Sequence, residues 1–384
     1  MKLRRIATNM SLLGGSLLIC FLVLEIGLRL YNGVPLWPVE NLIGKQVNQI
    51  KVNLAVRYDE LLGWYLKENR AAGTGKETTT TGAYGLRMNS SEITPPAENA
   101  ILAVGDSFTG GSEVWDHETW PAQAQDILGI PVLNAGAGGY GVDQMVLRAE
   151  RLMGILKPHT IVVDAMVDDI ERTEYALYGG IYKPYFVVED GELVHKNFPV
   201  PHYDGGPRDL GLLRGIFGYS HLVNWTIDRV SGGAWWWRDF GNYYKHVHKN
   251  GSEVSCLLME RLKEKTEAAD VDLVFAIQFG ATHIRGWKEP AAHHVAVAQC
   301  VREMGIPVVD FWEPLKAILA EDEERFCKLY VEHDDECKVL GHMSPAGNRF
   351  TAEGIVEALR EMPNVQGALA EQESASQRSQ LYAD

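Results

Sequence analysis

Four short stretches hold the side chains that could do chemistry. Gly105-Asp106-Ser107-Phe108-Thr109-Gly110 sets a serine just past a short apolar run. A serine hydroxyl becomes a nucleophile only with a base beside it and N–H donors aimed at the developing oxyanion. The same Asp-Ser pair can also simply cap a helix. Asn134-Ala-Gly-Ala-Gly-Gly-Tyr-Gly141 is a glycine loop whose backbone N–H groups suit an oxyanion. It also fits the dinucleotide fingerprint as Gly136-x-Gly138-x-x-Gly141, with Asp164 further along. That fingerprint belongs after the first strand of its fold, and here it follows the second, so a dinucleotide is not expected. Val167-Asp168-Asp169 adds carboxylates, and Gly341-His342-Met343-Ser344 adds a candidate base. His246 and His248 could share a strand face, but they lack a third ligand. Neither a metal nor a cofactor is expected.

Positioning these stretches requires a scaffold, and an alternation of elements supplies one. Apolar strands are predicted at Ala100–Val104, Ile130–Leu133, Thr160–Val167, Asp272–Gln278 and Ile306–Phe311. Helices are predicted at Trp120–Leu128, Val142–Leu156, Ser252–Ala268, Ala291–Met304 and Ser344–Glu361, the last with Ser344 as N-cap and Pro345 in its first turn. Continuously apolar strands alternating with helices mean a mainly parallel sheet covered on both faces. The expected fold class is α/β, a three-layer α/β/α sandwich around a five-stranded flavodoxin-like sheet. Active sites of such sheets lie at the carboxyl ends of the strands. There the loops after Val104, Leu133 and Val167 would meet.

The four stretches, in this order, resemble the blocks of the GDSL/SGNH hydrolase superfamily, in the membrane-anchored form of bacterial cell-surface proteins. The resemblance implies Ser107 as nucleophile and His342 as general base. It implies Ser107, Gly139 and the position of Asp168 as the oxyanion hole. Leu62-Gly63-Trp64 and Gly85-Leu86-Arg87 are similar to the lead-in of anchored members. Two positions depart from the family pattern. Asp168 stands where an Asn would donate, and an ionised carboxylate cannot donate. The positions two and three before His342 hold Leu340 and Val339 rather than an Asp. Asp335 is the expected substitute, with Asp334 and Asp310 as alternatives and a Ser–His dyad as another. The implied function is an exported serine esterase acting on small-molecule or polysaccharide esters, O-acetyl groups among them. An O-acyltransferase on a surface polysaccharide, or a weak or inactive carbohydrate-binding homologue, are the alternatives.

Acidic residues outnumber basic ones, 51 to 36, for a formal net charge of -15 over 384 residues. Phosphate binding needs clustered Lys and Arg, so nucleic acid is not an expected partner. Residues 1–9 read as a basic cytoplasmic stub, with Lys2, Arg4 and Arg5, and residues 10–31 as a transmembrane anchor. Everything after Tyr31 is then expected on the periplasmic or extracellular side. A cleaved signal peptide, or a lipoprotein signal at Cys20, is the competing reading. Residues 32–96 read as an irregular lead-in. Residues 97–363 form the hydrolase-like domain with an insert at about 171–250, and residues 364–384 a disordered tail. Within the insert, Tyr185–Val194 reads as a hairpin turning at Asp190-Gly191. The run Trp235-Trp236-Trp237 is assigned to packing or to sugar stacking. Cys327 and Cys337 are the best disulfide pair among the cysteines beyond the anchor.

Overall fold

The computed structural model describes residues 2–44, 55–73, 78–202, 210–231, 236, 244–334 and 336–381. The chain divides into two units. The larger comprises residues 54–176, 182–202 and 246–384, and the smaller comprises residues 1–53, 177–181 and 203–245. The expected insert is therefore not one body, since residues 182–202 belong to the larger unit.

Five strands form the central sheet of the larger unit. They are β1 (Ile101–Gly105), β2 (Val132–Asn134), β3 (Thr160–Met166), β4 (Asp272–Gln278) and β5 (Val308–Asp310), in spatial order 2-1-3-4-5. All four pairings are parallel, with Ile101 opposite Thr160 and Asp272 opposite Thr160 across the central strands. This is the flavodoxin-like order, and the predicted α/β sandwich is correct. Every residue of β1 and β3 is buried. That is why these strands read as continuous apolar runs rather than alternating ones. Helix Val142–Leu156 packs on β1 and β3 beside helix Gly251–Ala268, while Trp120–Leu128 packs against Pro345–Arg360. Val142, Met145, Val146, Ala149 and Leu152 are buried at the helical spacing that the sequence displays. Ser344 caps the helix Pro345–Arg360 by accepting from the Gly347 N–H at 3.2 Å.

Two expectations need correction. The lead-in is not irregular: Val56–Asp59 pairs with Gly63–Leu66, and Arg70–Gly73 pairs with Thr78–Thr81, each antiparallel. Four threonines favour a strand once a partner is present, and pairing rather than periodicity decides the outcome. The expected disordered tail is a helix, Pro363–Leu381. Its Ala, Gln and Glu content favours helix, and its first turn is tied down. The Asn364 N–H donates to Asp272 at 2.8 Å, and its side chain donates to the His159 and Asp270 carbonyls.

The hairpin Tyr185–Glu189/Glu192–Lys196 forms as read, with Asp190 and Gly191 both at positive φ. Trp236 is buried against Ile43 in the smaller unit, with its indole N–H on Asn224 at 2.6 Å, which makes it a packing residue. Trp235 and Trp237 lie outside the described residues.

Cys327 pairs with Cys337, and Cys256 pairs with Cys300. The second bond staples helix Gly251–Ala268 to helix Ala292–Glu303. It closes the longer loop, a separation of 44 residues against 10. Loop-closure entropy then gives about 4 kcal/mol for Cys256–Cys300 and about 3 kcal/mol for Cys327–Cys337. Urea unfolding of Cys256→Ala/Cys300→Ala and Cys327→Ala/Cys337→Ala should rank the two losses in that order.

Candidate active site

The Ser107 segment begins where β1 ends. Asp106 caps the helix Ser107–Gly110 by accepting from the Phe108 N–H at 2.7 Å. The capping reading of the Asp-Ser pair holds, and the serine next to it is left at the edge of the sheet. Gly105 must be glycine, because a Cβ there would sit 2.0 Å from Thr109 Oγ1 and 2.5 Å from the Asp164 carbonyl.

The His342 side chain reaches Ser107 from the strand Leu340–Met343. Its Nε2 lies 3.0 Å from Ser107 Oγ, and its Nδ1 lies 2.7 Å from Glu113 Oε2. A carboxylate on Nδ1 places the ring proton there and leaves Nε2 free to accept from the serine hydroxyl. The same Glu113 oxygen accepts the His342 backbone N–H at 2.9 Å, and Oε1 faces His333 Nε2 at 2.9 Å. Burial pushes the Glu113 carboxyl up. The His342 N–H, its ring and His333 outweigh that, so its pKa lies below the ordinary value. The acid on the histidine is therefore Glu113. Asp335 lies outside the described residues. Asp310 is engaged with His294 at 2.9 Å, and Asp334 accepts the Lys338 and Val339 N–H groups of its own loop.

Nothing near His342 in sequence could have pointed to Glu113, which follows Ser107 instead. Its backbone is left-handed, with φ at 70°, a conformation that non-glycine residues rarely adopt. Arg87 holds this loop. Its buried guanidinium donates to the carbonyls of Gly110 (2.6 Å), Gly111 and Val114 (2.7 Å), and pairs with Asp116 at 3.0 Å. The Gly85-Leu86-Arg87 stretch thus shapes the turn that carries the acid.

The glycine loop after β2 packs on the Ser107–Gly110 segment. A Cβ on Gly136 would lie 2.2 Å from the Gly110 nitrogen, and Asn134 donates to the Thr109 carbonyl at 2.9 Å. Leu62-Gly63-Trp64 braces the loop from the other side. Trp64 Nε1 donates to the Gly138 carbonyl at 3.1 Å, Tyr140 donates to the Trp64 carbonyl, and Gln144 donates to the Leu62 carbonyl at 2.7 Å. Gly139 sits in this loop at φ 79°.

Asp168 is not an oxyanion donor. It is paired with His283 Nε2 at 3.3 Å, and His283 Nδ1 accepts the Gly280 N–H, which places the ring proton on the Asp168 side. Burial raises the Asp168 carboxyl, but the hydrogen bond from His283, with Arg172 nearby, outweighs it, so the group is held below its ordinary range. Asp169 instead accepts the Met166 N–H at 2.7 Å, at the start of the helix Val167–Arg172. Arg172 binds both Asp169 and Asp106. A cleft of about 420 Å³ opens over the site, lined by Phe108, Glu113, Met166, Asp168, His283 and His342 among others.

Two other singled-out residues have different duties. Asp164, the acid that accompanied the glycine fingerprint, is buried in β3 and accepts from Thr109 Oγ1 (2.6 Å), Trp120 Nε1 (2.8 Å) and Gln278 Nε2 (2.7 Å). His246 packs on the Tyr175 ring at 4.1 Å.

No family model matches the chain, and no curated protein matches it. Among solved structures, one similar chain is a lipolytic protein of the G-D-S-L family from Desulfitobacterium hafniense, 13% identical. The match covers 68% of this chain and 99% of that one at a TM-score of 0.33. Another is a lipase/acylhydrolase from Enterococcus faecalis, 12% identical over 68% of this chain and 95% of that one, TM-score 0.37. A third is an acetylxylan esterase from Geobacillus stearothermophilus, solved as a catalytic mutant, 14% identical over 69% and 95%, TM-score 0.37.

Burial pushes the Asp164 carboxyl up to about 7, against the hydrogen bonds from Thr109, Gln278 and Trp120. A folded pKa raised above the unfolded one leaves stability intact below about pH 4. Stability is then lost as pH rises toward 7, by about 4 kcal/mol in all. Asp164→Asn should remove that loss. The stability difference between wild type and variant, followed by denaturant titration from pH 4 to 8, should move in the variant's favour by that amount.

Proposed function

We propose that this protein is an exported serine esterase of the GDSL/SGNH type, held at a membrane by its N-terminal helix. The observation that carries the reading is the unbroken chain Glu113–His342–Ser107, at 2.7 and 3.0 Å. Ser107 Oγ attacks the ester carbonyl while His342 Nε2 takes its proton. Glu113 orients the ring and stabilises the imidazolium. The tetrahedral oxyanion is received by the backbone N–H groups of Ser107 and Gly139. His342 then returns the proton to the leaving alcohol, and an acyl-serine remains. Water attacks that ester with His342 again as base, the carboxylic acid leaves, and Ser107 regains its proton.

Two further features support the setting. The helix Thr8–Tyr31 is long and apolar enough to cross a membrane. The disulfides Cys256–Cys300 and Cys327–Cys337 belong to an oxidising compartment. Together they favour a catalytic unit outside the cytoplasm. An O-acetylated surface polysaccharide is the substrate that this location and the resemblance favour.

The test is ester hydrolysis by the full chain in detergent, with nitrophenyl acetate and acetylated polysaccharide as substrates. Ser107→Ala should abolish turnover and fluorophosphonate labelling; undiminished activity in that variant would overturn the assignment. Glu113→Gln should lower kcat by roughly 10³- to 10⁴-fold with KM nearly unchanged, whereas Asp310→Asn should leave kcat alone.

A further inference from the structure

The N-terminal helix, Lys2–Tyr31, is more than a tether within the smaller unit. Glu25, which interrupts its apolar run, is hydrogen-bonded from residues almost two hundred positions away. Its carboxylate accepts from Ser220 Oγ and from the His221 and Leu222 N–H groups, each at 2.8 Å. These are donors at the start of the helix His221–Ser231. A carboxylate there satisfies N–H groups that have no partner within the helix, at its positive end. Arg29, one turn on, is buried and binds Glu25, the Pro35 carbonyl (2.8 Å) and the Tyr219 carbonyl. Asn32 adds a contact to His221 at 3.0 Å. Removing the helix at a signal-peptide site would leave this cap empty.

The contact also fixes a depth. Glu25 lies about 26 Å along the helix from Thr8 at 1.5 Å per residue, close to the roughly 30 Å hydrocarbon thickness. Whatever Glu25 and Arg29 hold is therefore held at the far membrane interface. They hold residues 219–222, next to the short helix Gly211–Phe217, which buries none of its residues. Leu212, Leu213 and Ile216 are 78%, 60% and 58% exposed. Ile216 and Phe217 share an apolar pocket of about 550 Å³ with Phe21 and Ile26 of the anchor, and with Leu36 and Val39. Trp37 and Tyr31, also exposed, are the aromatic types enriched at membrane interfaces. In water, such a cluster of bulky apolar side chains would be costly; next to a membrane-spanning helix, the lipid already in contact with that helix covers it.

We propose that the anchor is retained in the mature protein and that residues 210–231 form a collar clasped by Glu25 and Arg29, with Leu212, Leu213 and Ile216 entering the lipid. This inference rests on the reading of the N-terminal helix as a membrane anchor. The experiment uses the full chain with Cys20→Ser, carrying an environment-sensitive fluorophore at Leu213→Cys or Ile216→Cys, reconstituted in phosphatidylcholine/phosphatidylglycerol vesicles. Glu260→Cys, on an exposed face of the larger unit, is the control. The expected result is blue-shifted emission at 213 and 216, quenched by nitroxide-bearing lipids, with neither effect at 260. Vesicle-bound protein of full mass whose labels at 213 and 216 behave like the control would overturn the collar while leaving the anchor standing. A blue shift without lipid quenching would mean burial against protein, such as a second copy of the chain, and would also overturn it. A mature mass lacking the first 31 residues would overturn both the collar and the anchor.

Discussion

The arrangement of the candidate site turns on a single carboxylate, Glu113, which holds His342 Nδ1 while the other ring nitrogen meets Ser107 Oγ. That carboxylate belongs to a left-handed residue in a turn with no regular structure of its own. Its placement therefore depends on Arg87, whose guanidinium gathers carbonyls from both sides of Glu113 and is neutralised by Asp116. Five N–H donors in a rigid fork suit this task in a way a lysine cannot. The buried ion pair has to be complete, because either partner alone would be an uncompensated charge in the core.

The lead-in is consequently part of what supports the candidate site. One hairpin delivers Trp64 to the glycine loop, and the segment after the other delivers Arg87 to the acid-bearing turn. Beneath both, Asp164 joins Thr109 of the nucleophile helix, Trp120 and Gln278 of β4 at a single oxygen. The loops over the carboxyl edge of the sheet are thus fixed from below by β3 and from the side by the segment preceding β1. The proposed chemistry calls for that kind of support, since stabilising an oxyanion relies on dipoles that are already in place.

The two departures from the GDSL/SGNH pattern that the sequence resembles have physical answers. The carboxylate of Asp168 lines the cleft but is engaged by His283. An acid is present without an aspartate two or three residues before the histidine, because Glu113 arrives from a turn 229 positions earlier in the chain.

What the sequence alone determined is what local physics controls. Apolar runs marked β1 to β5, of which β1 and β3 are buried throughout. The spacing of Val142, Met145, Val146, Ala149 and Leu152 marked an amphipathic helix, and Ser344-Pro345 marked a helix start. Ser107, Gly139 and His342 could be singled out because each lies in a short motif beside a predicted strand or helix. Only the tertiary structure decided which acid serves His342, what Asp168 and Asp164 pair with, and that Glu25 caps a helix starting at residue 221. It also decided that the threonines at 78–81 pair as a strand. Each of these is a contact between groups far apart in the chain, and the energy of such a contact does not exist until the fold brings the partners within a few ångströms. No local propensity or period encodes it.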